Sequence, residues 1–289
     1  MNTGKIRNYG LEFSAGYRWN INHDWRWQTG FNFAWNDNRI LETYKTESGA
    51  PYIVEMGTNA FKIKYIEGGR YGDIYVNSFA RDENGHIKIN GAGDYENAVP
   101  VMESGKYETY VGNTTSPVTL GWNNTFSWKN FNLYFLIDGR IGGKVMSLTE
   151  PDLDLFGLSE RSAHDRLKGE RVTQNGKEYV LKELPDGSGN KVPVENYYTT
   201  IGAYPMEDHV YNATNLRMRD ISLSYNFSNL LGKNTGLTAQ FSIKNAFFIY
   251  KDSPIDPDIS VSAANGYSGI DCYSLPTTRS YALTLKFSF

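Results

Sequence analysis

His23, His86, His164 and His209 are the side chains best suited to holding a transition metal or moving a proton near neutral pH. They are scattered, and none joins carboxylates at metal-ligand spacing. Asp152, Asp154, Asp256 and Asp258 offer oxygens of the kind calcium takes, but the glycine-punctuated spacing of a calcium loop is missing. Asp-Pro turns are the plainer reading of these positions. Ser159 or Ser162 with His164 would supply a nucleophile and a base, yet no nucleophile elbow or oxyanion motif surrounds them. No catalytic residue, metal or cofactor is assigned, and the chain does not read as an enzyme.

Aromatic residues carry a different chemistry. Tyr197, Tyr198, Tyr250 and Tyr267 lie in polar, turn-rich stretches, as do Tyr204, Tyr211 and Tyr273. A tyrosine ring stacks on the apolar face of a sugar, so the first four are the candidate substrate-binding residues. Loop packing and contact with a partner protein compete with that role. Arg217 and Arg219 suit pairing with nearby carboxylates better than ligand contact.

The totals bound the scaffold. A net charge of −3 over 289 residues argues against a nucleic-acid partner. The mean hydropathy is −0.51. The longest apolar runs span roughly five residues, against the ~20 that a membrane helix needs. Barrel strands escape that test because they alternate. Aromatics make up 15%, with 21 Tyr, 15 Phe and 6 Trp, a richness that fits strands and interfacial girdles. The single Cys272 excludes an internal disulfide framework.

Alternation is the dominant pattern. Leu11 to Trp19 and Trp25 to Trp35 place apolar residues at odd positions, with Arg18 and Arg26 on the other face, and Ile21 to Asp24 form the turn between. Val118 to Trp128 and Phe131 to Ile137 form a second hairpin around Lys129-Asn130. Leu216 and Met218 are even-numbered, whereas Ile221, Leu223, Tyr225 and Phe227 are odd, so a bulge is expected near Asp220. Leu237 to Phe247 and Arg279 to Phe289 complete about seven long strands. The intervening stretches 38–116, 142–214 and 250–278 are read as long loops. Short strands are expected near Lys62–Ile66, Ile74–Asn77 and His86–Ile89, and a short helix from Ser159 to Gly169. Pro151, Pro185, Pro193 and Pro205 argue against long regular structure in the second loop.

Short and long connections strictly alternate, as they do in outer-membrane barrels with short periplasmic turns and long extracellular loops. The fold class expected is therefore all-β: a portion of a transmembrane up-and-down barrel whose greasy face meets the lipid bilayer. The strand count is odd where bacterial barrels are even. Residues 1–289 are accordingly expected to be the C-terminal part of a larger barrel, with N-terminal strands and any plug domain lying outside them. Tyr281, Leu283, Leu285, Phe287 and Phe289 resemble the terminal signal that the barrel assembly machinery reads.

Four stretches together resemble the SusC/RagA family of TonB-dependent outer-membrane transporters. They are Asn8-Tyr9-Gly10-Leu11-Glu12; Gly112-Asn113 with Gly121, Asn124-Thr125-Phe126 and Lys129-Asn130-Phe131; Asn215 to Tyr225; and Lys244-Asn245-Ala246-Phe247 with Asp256-Pro257-Asp258, Gly269-Ile270-Asp271, Leu275-Pro276 and Thr278-Arg279. Ala246 and Leu275 depart from the family's usual Leu and Tyr. The resemblance implies a 22-stranded barrel with a plugged lumen in the bacterial outer membrane. It further implies TonB-energised import of a glycan or peptide, oligosaccharide before peptide, with a SusD-like surface lipoprotein as partner. A passive porin-like barrel and a soluble β-rich glycan-binding protein are the alternative readings.

Overall fold

The computed structural model describes residues 4–103, 105–203, 206–228, 235–261 and 267–288. Seven long strands make one antiparallel sheet in chain order: β1 (Lys5–Asn20), β2 (Trp25–Glu42), β3 (Val118–Trp128), β4 (Phe131–Ile141), β5 (Asn215–Ser228), β6 (Gly236–Lys251) and β7 (Ser280–Ser288). Every pair is antiparallel to its neighbour. β1 and β2 run several residues beyond the stretches that alternation marked.

The register sorts side chains by polarity. One cross-strand row reads Trp19, Trp27, Phe126, Leu133, Leu223, Phe241 and Leu283, apolar through all seven strands. The row on the opposite face reads Arg18, Gln28, Thr125, Tyr134, Ser222, Ser242 and Ala282. Leu11, Phe13, Tyr17, Leu223, Phe241, Leu283 and Leu285 remain exposed. Such a continuous apolar face suits hydrocarbon, where alternating strands need no second layer.

Two polar residues interrupt that face and are spent on the indoles beside them. Trp122 Nε1 donates to Thr29 Oγ1 at 2.9 Å, and Trp27 Nε1 donates to the Asn124 carbonyl oxygen at 3.0 Å. In hydrocarbon a bare indole N–H would be costly.

The phase change in β5 is a bulge. Leu136 pairs with Asp220 and Ile137 with Met218, so Arg219 is the extra residue. That moves the outward set from even to odd positions, one residue from where the sequence placed the change.

Turns at one end are short, at 21–24 and at Lys129-Asn130, where Lys129 takes φ 51°. The six residues 229–234 lie outside the described residues. All three long connections leave from the other end and fold together into a cap. The first forms a four-stranded sheet from Val54–Gly57, Phe61–Tyr65, Asp73–Val76 and Thr109–Asn113. The second carries α1 (Thr149–Leu155), α2 (Glu160–Lys168), α3 (Val194–Ala203) and a small sheet, Glu170–Gln174 with Lys177–Glu183 and Lys191–Pro193. The third adds Ile270–Asp271, parallel to Lys144–Ser147 of the second.

Helix content exceeds the single α2 expected. Prolines did not prevent it because Pro151 sits in the first turn of α1 and Pro193 immediately precedes α3, positions whose N–H has no helical partner. α2 itself is bounded as expected: Ser159 caps it, accepting from Ser162 N–H, and Gly169 ends it. Two buried clusters hold the cap. Phe79 and Ile87 of the first connection meet Leu184, Val194, Tyr197 and Ile201 of the second. Phe61, Ile63 and Ile74 meet Met146 and Ile270, joining all three connections.

Candidate functional site

Arg219, the bulge residue, and Arg217, two residues before it on β5, reach the Asp256-Pro257-Asp258 turn of the third connection. Arg217 Nη2 donates to Asp256 at 2.6 Å and Arg217 Nη1 lies 3.3 Å from Asp258. Arg219 donates to Asp138 of β4 and to Asp258, each at 2.6 Å, and to the Asn245 carbonyl oxygen at 3.0 Å. Arg140 adds a 3.2 Å pair to Asp258. Burial pushes the Asp258 carboxyl up, but the Arg219 hydrogen bond and the fields of Arg140, Arg217 and Arg219 outweigh it and hold the group below the usual carboxylate range. Arg217 is 2% exposed, with its guanidinium 3.9 Å from the Phe248 ring centre. Three arginines face three aspartates, so the cluster is a neutral clamp that ties the third connection to the wall.

A second buried network lies in the cap. Asp154 accepts from Ser159 Oγ at 2.6 Å, lies 2.8 Å from His209 Nε2 and pairs with Arg161. Burial pushes its pKa up, and these His209, Arg161 and Ser159 bonds bring it down to about 2. Arg161 Nη1 also donates to the Asp208 carbonyl at 3.3 Å. The hydrolase alternative finds no support in this geometry. Ser159 is spent on Asp154 and the cap, Ser162 Oγ donates to the Ser159 carbonyl, and His164 pairs with Asp165. Among the described residues no group of three or more His, Cys, Asp or Glu is placed to hold a metal.

The four candidate tyrosines are not brought together. Tyr197 and Tyr198 are 2% and 3% exposed on α3, inside the first cap core. Their hydroxyls donate to Asp208 and Asp165, and burial first, then those carboxylates, drives both phenol pKa values up. Tyr267 packs edge-on against Phe61 at 6.3 Å in the second core. Tyr250 pairs with Leu216 and shares its outward face. Tyr204, another loop aromatic, lies outside the described residues.

Different tyrosines converge where the sequence suggested none. A hollow of about 520 Å³ is lined by Tyr44, Tyr52, Tyr65 and Tyr71, with Glu42 and Ile40 among its other walls. Ile6 and Ile40 pair on the face opposite Leu11 and Trp35, so the hollow opens on the inner side of the wall's capped end. Tyr44 and Tyr52 stay 48% and 52% exposed and meet edge-on at 6.4 Å, while Tyr65 and Tyr71 stack at 4.8 Å. The signal was local: Glu47-Ser48-Gly49-Ala50-Pro51 is turn-rich, and the bridge between Lys45 and Pro51 folds Tyr52 back onto Tyr44.

An open antiparallel wall with one greasy face, a wet face and a single cap defines a segment of an outer-membrane β-barrel. No protein-family model matches the chain. The TonB-dependent receptor SusC of Bacteroides thetaiotaomicron is 24% identical over 300 residues, an alignment covering 100% of this chain and 27% of SusC. TonB-dependent receptor P3 of Formosa agariphila is 23% identical, covering 100% of this chain and 29% of that receptor. The chain thus spans under a third of the curated relatives it matches. Among solved structures, the RagAB peptide transporter superimposes with a TM-score of 0.66 at 18% identity, covering 100% of this chain and 30% of the matched one. The open-open state of the RagAB importer gives 0.61, with 99% and 29% covered. Over its whole length the chain is similar to TonB-dependent receptors of the SusC type, and its fold is that of the matched part of the RagAB transporter.

Proposed function

We propose that this chain supplies barrel wall, extracellular cap and terminal strand to a TonB-energised importer that works with a SusD-like surface lipoprotein. The carrying observation is the seven-strand register, which keeps one face apolar while every long connection joins a cap at one end. On this reading a plug and further strands come from outside residues 1–289. Among the described residues β1 and β7 each pair on one side only, which supports it. Tyr281, Leu283, Leu285 and Phe287 form the outward face of β7 and, with Phe289 outside the described residues, serve as the assembly signal.

For cargo, an oligosaccharide suits the exposed Tyr44 and Tyr52 rings, whose faces stack on sugar C–H surfaces, with the Glu42 carboxylate beside them to accept hydroxyls. Uptake of labelled oligosaccharides and peptides should be compared in host cells with the gene intact, with the gene deleted, and with TonB disabled. Oligosaccharide uptake is expected to fall at least tenfold in both altered strains and to weaken in Tyr44→Ala. Uptake that survives loss of the gene and of TonB would overturn the reading.

A further inference from the structure

The outward face changes character at its capped end. From Trp19 to Tyr9 is ten residues of β1, or about 33 Å at ~3.3 Å per residue. At a tilt near 40° that spans roughly 25 Å, the height of a barrel's apolar band. Tyr9 therefore marks the far membrane boundary. Its ring packs edge-on to Trp35 at 5.6 Å, and its hydroxyl donates to Asp37 Oδ2 at 2.6 Å. A ring in hydrocarbon with its polar tip turned to the headgroups is how interfacial tyrosines sit.

Just beyond Tyr9 stand three arginines. The register runs without a shift from Leu11 opposite Trp35 to Arg7 opposite Arg39, so both arginines remain on the membrane-facing side. Like charges directly opposite one another destabilise a sheet. Arg70 is delivered beside them because Gly68 and Gly69 pair with the Ile40 backbone. Asp37, 7% exposed, is shared by the Tyr9 hydroxyl, Arg70 and, at 3.8 Å, Arg39. Arg39 and Arg70 also line a hollow of about 410 Å³ with Asp73, Tyr75 and Tyr110. Asp73 is buried there, accepting from Asn113 at 2.9 Å and from Arg70 N–H at 2.7 Å. Arg7 lies over the Tyr9 ring at 5.3 Å and joins no ion pair among the described residues. Arg39 and Arg70 thus meet two carboxylates that are already bonded, and Arg7, opposite Arg39 in the register, adds a positive charge that neither carboxylate pairs with among the described residues.

We propose that Arg7, Arg39 and Arg70 bind the phosphate of a lipid headgroup in the outer leaflet. The inference rests on the outer-membrane reading above. Guanidinium forks match phosphate oxygens two at a time. An anion between Arg7 and Arg39 removes the repulsion that their pairing creates. Leu11 and Phe13, 61% and 55% exposed, lie directly below on the same face, where the acyl chains of that lipid would run. A soluble phosphate would gain nothing from them, and this favours a lipid.

The test uses protein extracted from outer membranes of its own host, with whatever chains accompany it, transferred to phosphatidylcholine nanodiscs containing dioleoyl phosphatidic acid. Native mass spectrometry reads the phosphatidic acid retained per protein. The wild type is expected to retain it over phosphatidylcholine, and Arg7→Gln/Arg39→Gln to retain at least tenfold less. Arg7→Gln alone, which disturbs no ion pair, should lower retention at least threefold and keeps the test decisive if the double variant fails to insert. Unchanged retention in Arg7→Gln and in an inserted double variant overturns the proposal. So does complete displacement of the lipid by millimolar inorganic phosphate, which would make the site one for a soluble anion. Failure of the wild type to fractionate with outer membranes would instead overturn the reading beneath it.

Discussion

Arg219, the extra residue of the β5 bulge, bonds Asp258 across 39 positions of chain at 2.6 Å. A local irregularity in the wall is thereby the anchor point of the third extracellular connection. Removing Asp258 leaves Arg217 and Arg219 their bonds to Asp256 and Asp138 but strips them of a shared acceptor, at about 1–3 kcal/mol. Asp258→Ala is expected to release the connection while leaving the strands paired. Limited proteolysis of the intact barrel should then cut within 252–279 at least tenfold faster than in wild type. Equal cleavage rates would show that the clamp does not hold that segment.

Asp154 sets an acid limit on the cap. Its folded pKa, about 2, lies below the ordinary carboxylate value of 3.8. The stability it lends is therefore complete above about pH 4 and lost as pH falls through about 2, amounting to roughly 2 kcal/mol. Hydrogen exchange of α1 and α2 should accelerate across that interval, with β3 and β4 unaffected. Asp154→Asn should remove the pH dependence of α1 while loosening the cap at every pH, whereas Asp165 on α2, also held below the ordinary carboxylate value, keeps its own. A variant that kept the wild-type acid profile would assign it to another group.

Asn124 is fully buried within the apolar face and is expected to matter through the Trp27 indole. Asn124→Leu strips Trp27 of its acceptor, a loss of about 1–2 kcal/mol in a membrane interior. Urea unfolding from lipid vesicles, followed by tryptophan fluorescence, should show a lowered midpoint. The double variant Asn124→Leu/Trp27→Phe should recover part of it, because the orphaned donor is gone. No recovery would show that Asn124 acts through packing alone.

The wall was readable because period-two alternation is a strong signal when one face meets hydrocarbon. Val118–Trp128 coincides with the expected strand, and the phase slip between Met218 and Ile221 revealed the bulge. Ser159 and Gly169 marked the ends of α2, and Arg217 and Arg219 were legible as partners for carboxylates, although nothing in the sequence singled out Asp256 and Asp258 as those carboxylates. The interior of the cap was not readable. Tyr197 and Tyr198 look like loop aromatics in sequence, but α3 turns them into a core assembled from residues about a hundred positions apart, such as Phe79 and Tyr197. In the hollow, the turn-rich stretch 47–51 was a local sign of the Tyr44–Tyr52 pair, but its closure by Tyr65 and Tyr71 depends on how the first connection folds back along β2. No periodicity reports contacts of that range.

The most direct measurement of the central claim uses β7, whose register with β6 runs unbroken from Ser280 to Ser288. With Cys272 replaced by serine, single cysteines at Leu283, Thr284, Leu285 and Lys286 would carry a fluorescent label on the barrel in lipid vesicles. Quenching by nitroxides on lipid tails should be strong at 283 and 285 and weak at 284 and 286, with the reverse order for a water-soluble quencher. Equal lipid quenching at odd and even positions, or water access at 283 and 285, would contradict a wall that is greasy outside and wet within.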